Sequence, residues 1–105
     1  MHGPGVYIIQ EGDAGPVKIG VAMHPARRLI QLKSGNPRRL FLRKIFVVDT
    51  EIEQHEARRF CNALERHVLS DLSVKSISGE WLDASVDEIV KSVRKFIKSG
   101  ENADG

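Results

Sequence analysis

The chain has 105 residues, of which 41% are hydrophobic and 29% are charged, and its formal net charge is +2. These values predict a single globular domain over residues 1–105, with its core at about 5–98 and flexible termini. No apolar run is long enough to span a bilayer, so a membrane-spanning helix is not expected. The lone cysteine, Cys61, excludes an internal disulfide. Because the N-terminus also lacks the apolar core of a signal peptide, we expect a cytoplasmic protein.

Two β-rich runs open the chain, at about residues 6–10 and 17–22, and a cluster of turn formers separates them. This pattern predicts an antiparallel hairpin. Pairing the runs about the loop places Tyr7 close to opposite Lys18. A neighbouring ammonium favours the phenolate, so we expect Lys18 to lower the pKa of Tyr7 from its usual value of about 10. The alternative is a cross-strand contact between the ring and the lysine stem, with no chemistry.

A helix and a third strand follow the hairpin. His24 and Pro25 mark the start of the helix, which is expected to run to about residue 33 and to end near Gly35. The apolar run at 40–48 predicts the third strand, which Arg43 and Lys44 interrupt.

The second half of the chain predicts two more helices. A long helix is expected at about 51–71, capped by Asp49 or Thr50. Residues 73–78 read as a polar loop, and residues 80–82 as a short extended segment. Residues 85–88 have the form of a capping box for the last helix, which Gly100 is expected to end. The predicted fold is α+β, a small, mainly antiparallel three-stranded sheet flanked by helices.

Basic residues are concentrated in one part of the chain. No acidic residue occurs from residue 14 to residue 48, and half of the sixteen lysines and arginines lie there: Lys18, Arg27, Arg28, Lys33, Arg38, Arg39, Arg43 and Lys44. A stretch of one charge sign predicts a phosphate-binding surface. The alternative is a solvated face that happens to be basic.

Five short motifs occur in a fixed order: Gly5-Val6-Tyr7, Lys18-Ile19-Gly20, and the segments at 24–29, 34–37 and 79–82. Together they resemble the GIY-YIG nuclease superfamily, and most closely its small stand-alone T5orf172 or Mug113-like branch. In that branch a lysine often stands where the second motif has its tyrosine. The resemblance extends from about residue 5 to about residue 85.

The resemblance implies a catalytic role for four residues. Tyr7 matches the tyrosine of the first motif, a general base, and Lys18 would assist it. Arg28, ten positions after Lys18, matches the arginine that grips phosphate. Glu80 matches the glutamate that binds a metal, here Mg²⁺ or Mn²⁺. Each of these has a plainer alternative as an ordinary surface or packing residue.

Further positions support the same interpretation. Gly5 and Gly20 match the motif glycines, and a side chain at Gly20 would crowd the catalytic face. Nucleic-acid contacts are expected from four basic residues: Arg27, Lys33, Arg38 and Arg39.

One part of the family pattern is missing. The branch usually has a histidine one helical turn after a glutamate on the long helix, but Leu69 stands one turn after Glu65. His67 and His55 remain as candidates for that role. The asparagine that some members carry late in the domain is also missing, because the only later asparagine is Asn102.

Three functions follow, in order of preference. The first is metal-dependent phosphodiester hydrolysis of nucleic acid by a GIY-YIG-type endonuclease. The second is a nucleic-acid-binding domain on the same fold with weak or no catalysis. The third is an interaction module that binds through the long helix. For the first, DNA is favoured over RNA, no membrane is involved, and a homodimer would serve the cleavage of both strands.

Overall fold

The structure, a computed structural model, describes residues 4–34, 39–48 and 52–103. They form an α+β fold with a five-stranded antiparallel sheet and three helices. The strands are β1 Gly5–Glu11, β2 Val17–Ala22, β3 Leu40–Val47, β4 Ser76–Ser78 and β5 Trp81–Leu82. The helices are α1 Pro25–Ser34, α2 Gln54–Asp71 and α3 Val86–Ala103, with a 3₁₀ turn at Ser73–Lys75. Within these ranges, no helix combines the length and the apolar character that crossing a membrane requires.

The prediction of a three-stranded sheet is wrong, because β4 and β5 extend it to the order β3-β1-β2-β5-β4. The residues of β4 were expected to be a polar loop. A strand of three exposed residues, and one of two, are too short to show the alternation that identifies a strand in a sequence. Gly79, with φ of +58°, begins the two-residue turn between them, an arrangement typical of tight hairpins.

The first hairpin forms as predicted, but its register differs. Tyr7 lies opposite Gly20, and Lys18 lies opposite Ile9. The Glu11 N–H donates to the Pro16 carbonyl at 3.0 Å, which fixes where the turn closes and therefore which residues pair. Tyr7 was expected close to opposite Lys18, and the observed pairing is displaced from that by two residues. The two residues are diagonal neighbours on the same side of the sheet.

The sheet is covered by helices on both faces. Val6 and Ile8 of β1 point to one face, where they pack with the apolar residues of α2 and α3. Tyr7 and Ile9 point to the other face and pack with residues of α1. All four side chains are at most 3% exposed. Strand alternation therefore places Tyr7 on the α1 face.

The start of α2 differs from the prediction. The helix begins at Gln54, and the Glu53 side chain accepts a hydrogen bond from the His55 N–H. The expected caps, Asp49 and Thr50, lie outside the described residues. The predicted start at about residue 51 is wrong. The Glu53 carboxylate caps the helix by accepting the otherwise unpaired His55 N–H, so the helix begins after Glu53.

The capping box of α3 is confirmed. The Ser85 N–H donates to Glu88 Oε1 at 3.2 Å, and the Glu88 N–H donates to Ser85 Oγ at 3.1 Å. The predicted end at Gly100 is wrong, because the helix continues to Ala103. An exit glycine needs a positive φ, which among the described residues occurs only at Gly12 and Gly79. For α1, the described helix ends at Ser34, and Gly35 lies outside the described residues.

Cys61 lies in the core between α2 and the sheet, and 1% of it is exposed. Burial raises the pKa of its thiol, so it is a poor nucleophile at neutral pH. We expect Cys61→Ala to lower the free energy of unfolding by about 1 kcal/mol, as for other modest core truncations, and to leave any nuclease activity unchanged. Chemical denaturation and a cleavage assay measure the two effects. Loss of activity in a folded Cys61→Ala protein would contradict this structural role.

Candidate active site

The phenol of Tyr7 lies directly over Gly20 on the neighbouring strand. A Cβ atom added at Gly20 would lie 2.3 Å from both the Cζ and the hydroxyl oxygen of Tyr7. Gly20 has no positive φ, so its backbone could be adopted by any residue. Gly20 is therefore required because there is no room for a side chain, and the group that fills the space is the hydroxyl end of the Tyr7 ring.

Gly20→Ala should displace this ring. Because Tyr7 is only 3% exposed, the ring has little room to move, and forcing an extra methyl into a packed site costs about 1–3 kcal/mol. We expect a lower melting temperature together with a loss of any Tyr7-dependent activity. Gly12→Ala is a contrasting variant, since a Cβ there meets nothing within 4 Å and only its positive φ is unfavourable. Retained activity in Gly20→Ala would show that the position of the phenol is unimportant.

Lys18 is the partner of Glu80. Its Nζ lies 3.5 Å from Glu80 Oε2 and 5.8 Å from the centre of the Trp81 ring. Lys18 and Trp81 are paired residues of β2 and β5, which keeps the ammonium over the turn that carries Glu80. The Lys18 side chain is only 17% exposed, so its charge is partly shielded from water.

The charges around Tyr7 act differently from what the sequence predicted. Burial is the largest influence and raises the pKa of the phenol above its usual value. Arg28 acts in the opposite direction, through a hydrogen bond and through its charge, while Glu80 and Glu65 raise the pKa further. The expectation that Lys18 lowers this pKa is therefore wrong, because the cation that favours the phenolate is Arg28.

Arg28 is exposed on α1 and is available to a ligand. Its Nη1 donates to Gln31 Oε1 at 3.5 Å. Arg27 and Arg28 both border an open cleft of about 180 Å³ beside the end of β2. A guanidinium pair beside a partly buried phenol is suited to a phosphate group.

Glu65 of α2 belongs to the same electrostatic group, and the sequence reasoning treated it only as half of a missing Glu–His pair. Burial raises the pKa of its carboxyl, the charge of Glu80 raises it further, and Lys18 lowers it. A sequence signal for this role was present. Glu65 lies four residues after Cys61 and three before Val68, so it occupies the apolar stripe of the helix. Glu65 is partly buried there, and a carboxylate partly withdrawn from water beside other charges is a candidate for a functional role.

The family model of the T5orf172 domain matches residues 5–97. The chain belongs to the T5orf172 family. This family is related to GIY-YIG-like nucleases and is associated with endonuclease-like proteins. No curated protein and no solved structure matched the chain.

Gly5, the other motif glycine of this T5orf172 domain, serves packing. A Cβ there would lie 2.8 Å from the Phe46 carbonyl oxygen and 3.2 Å from Pro25 Cγ. The glycine therefore lets β3 and the start of α1 approach β1. Since α1 carries Arg28, the packing at Gly5 helps to set the position of that guanidinium.

Neither candidate histidine is among the groups that act on Tyr7. The His67 ring lies 5.1 Å from the Phe96 ring of α3, and within the described part of the chain its Nε2 is buried without a hydrogen-bond partner. His55 is exposed in the first turn of α2. It precedes Glu65 by ten residues, or about 15 Å along the helix. In this T5orf172 domain the charges that act on the phenol are therefore those of Arg28, Glu80 and Glu65, and not those of the histidines.

The basic residues predicted to bind nucleic acid lie on two surfaces. Arg27 borders the cleft beside Arg28. Lys33 and Arg39 border a separate groove of about 310 Å³ where α1 ends and β3 begins. Arg38 lies outside the described residues. The expectation that these residues contact phosphates stays a prediction.

Proposed function

We propose that the protein is a metal-dependent endonuclease of the GIY-YIG type, in the small stand-alone branch of that superfamily, and that it hydrolyses phosphodiester bonds in DNA. The observation that carries the proposal is the Tyr7 phenol, held over Gly20 and subject to the charges of Arg28, Glu80 and Glu65. Family membership supports a nucleic-acid-related function in general. The arrangement of charges supports hydrolysis in particular.

Each residue has a chemical task in this proposal. Arg28, with Arg27 beside it, binds non-bridging phosphate oxygens and offsets the negative charge that develops on them. Tyr7, once ionised, takes a proton from the attacking water as the new P–O bond forms. The P–O bond to the leaving sugar oxygen then breaks, and that oxygen takes a proton from solvent. Lys18 keeps the Glu80 carboxylate in position, at 3.5 Å.

The carboxylates fit a hard divalent cation such as Mg²⁺ or Mn²⁺. Glu80 and Glu65 are oxygen donors, and the charge of Glu80 raises the pKa of Glu65, so a cation nearby would relieve their repulsion. The described residues contain no cluster of three or more metal-binding side chains. One or two carboxylates completed by water and substrate phosphate are what Mg²⁺ accepts. A bound cation would supply positive charge to the scissile phosphate.

The test is incubation of the pure protein with supercoiled plasmid, and in parallel with single-stranded DNA and RNA, in Mg²⁺, Mn²⁺ or EDTA. We expect plasmid nicking or linearisation with a divalent ion and none in EDTA. Protein that binds nucleic acid but cuts none of these substrates with either metal would refute the proposal and favour a binding domain. The raised pKa of Tyr7 is the observation that favours that second candidate, because a neutral phenol is a poor base.

A further inference from the structure

Phe41 of β3 lies between two arginines. Its ring centre is 4.9 Å from Arg43 Cζ and 5.4 Å from Arg39 Cζ, both within the range of a cation–π contact. The ring is partly exposed, and both arginines are exposed. We call these three residues the Arg39–Phe41–Arg43 cluster. A partly exposed ring flanked by two guanidiniums offers a ligand both a flat apolar surface and positive charge.

The cluster is held by two further contacts. Arg43 Nε donates to Gln10 Oε1 at 2.9 Å, which anchors this guanidinium to β1. The Gly12 N–H donates to the Arg39 carbonyl at 2.8 Å, which ties the start of β3 to the first hairpin turn. Lys33 at the end of α1 borders the same groove of about 310 Å³ as Arg39 and Phe41. The groove therefore combines the Phe41 ring with two cations, Lys33 and Arg39, and Arg43 lies against the same ring.

This cluster is separate from the candidate active site. Phe41 pairs with Gln10, the neighbour of Ile9 in β1. Because strand residues alternate between faces, Gln10 and Phe41 point away from the face that carries Tyr7 and Ile9. The cluster also lies at the end of the sheet where the turn between β1 and β2 is found. A nucleic acid would therefore contact the cluster with a different segment from the one at the candidate active site.

We propose that the Arg39–Phe41–Arg43 cluster binds an unpaired nucleotide of a single-stranded nucleic acid. The base stacks on the Phe41 ring in place of Arg39, the more distant guanidinium, which turns to a phosphate. Arg43, anchored by Gln10, stays against the ring. The phosphates of a duplex would interact only with the cations. The Phe41 ring can contribute by stacking only when the face of a base is accessible, as in a single strand. The inference rests on the proposed function, in that the ligand is nucleic acid.

The test measures binding in EDTA, so that cleavage plays no part. Fluorescence anisotropy compares a labelled 12-nucleotide strand with an abasic strand of the same length and with a duplex. We expect wild-type protein to bind the strand with bases at least about fivefold more tightly than the abasic one, since stacking contributes at least that factor per base. Phe41→Ala should lose this preference, and Phe41→Trp should keep it.

Phe60→Ala is the matched control, because Phe60 is also a partly exposed phenylalanine, 42% accessible, but lies on α2. It should leave the preference unchanged. If circular dichroism shows that Phe41→Ala is unfolded, Phe41→Trp tests the inference instead. The fluorescence of the added tryptophan should then be quenched by the strand that has bases and not by the abasic strand. Equal binding of both strands by wild-type protein, or no binding, would overturn the inference. A protein that cuts plasmid yet shows no such preference would keep the proposed function and lose this one.

Discussion

Tyr7→Phe is expected to reduce cleavage by roughly 10²–10⁴-fold, the range that a positioned general base contributes. The substitution removes only the hydroxyl, so the ring should still fill the space between Gly20 and α1. Nucleic-acid affinity in EDTA and the melting temperature should therefore stay near the wild-type values. A Tyr7→Phe protein that is folded and cleaves at the wild-type rate would remove Tyr7 from the mechanism.

The pH dependence of cleavage tests whether Tyr7 acts as a base. Because the pKa of Tyr7 is raised above its usual value of about 10, the ionised fraction increases about tenfold for each pH unit through the neutral and mildly alkaline range. The logarithm of the rate should then rise with a slope near 1 up to at least pH 9. Lys18→Met should leave that slope unchanged, since Arg28 is the cation that acts on the phenol.

A rate that reaches its plateau below pH 8 would point to a different base. Glu65 is the alternative, because its carboxyl has a raised pKa within the same electrostatic group. A carboxylate base would give an acid limb that ends near its own pKa and a plateau above it. The shape of the profile therefore distinguishes the two residues without any further variant.

Most elements of the fold could be predicted from the sequence, although β4 was expected to be a loop, but the register in which the strands pair could not. Apolar, β-rich runs identified β1 and β2, and apolar residues at helical spacing identified α2 and α3. Register depends on where a turn closes, which here is decided by the hydrogen bond from Glu11 to Pro16. That contact has no signature in composition, so the sequence placed Tyr7 only close to opposite Lys18, whereas its partner is Gly20.

The candidate site was predictable to the extent that it follows motifs. The motifs placed Tyr7, Arg28 and Glu80, and the structure brings their charges together. Glu65 entered only as half of the missing Glu–His pair. Its place in the apolar stripe of α2 is visible in the sequence, but its proximity to the charges of Glu80 and Lys18 depends on the fold. Lys18 was likewise predicted to act on Tyr7. In the structure, β5 pairs with β2 and brings Glu80 to Lys18, and the sequence indicated β5 only as a short extended segment.

Glu65→Gln should separate the effect of the Glu65 carboxylate on stability from its effect on cleavage. Because the pKa of Glu65 is raised in the folded state, the stability that this group contributes is present at low pH and is lost as pH rises through that pKa. An uncharged glutamine avoids this loss. At pH 7 we therefore expect the melting temperature of Glu65→Gln to equal or exceed that of the wild type, while cleavage falls.

The metal requirement shows why cleavage falls. Losing even a supporting residue of a metal site weakens metal affinity by about 10- to 100-fold, so Glu65→Gln and Glu80→Gln should each need at least that much more Mn²⁺ for half-maximal cleavage. A cation that binds only the folded protein raises its melting temperature, and this rise should shrink in both variants. Glu56→Gln, an exposed carboxylate two and a half turns earlier on α2, is the control and should behave as the wild type in both measurements. If Glu65→Gln retains the wild-type Mn²⁺ dependence while Glu80→Gln loses it, Glu80 holds the cation without Glu65, and the burial of Glu65 needs another explanation.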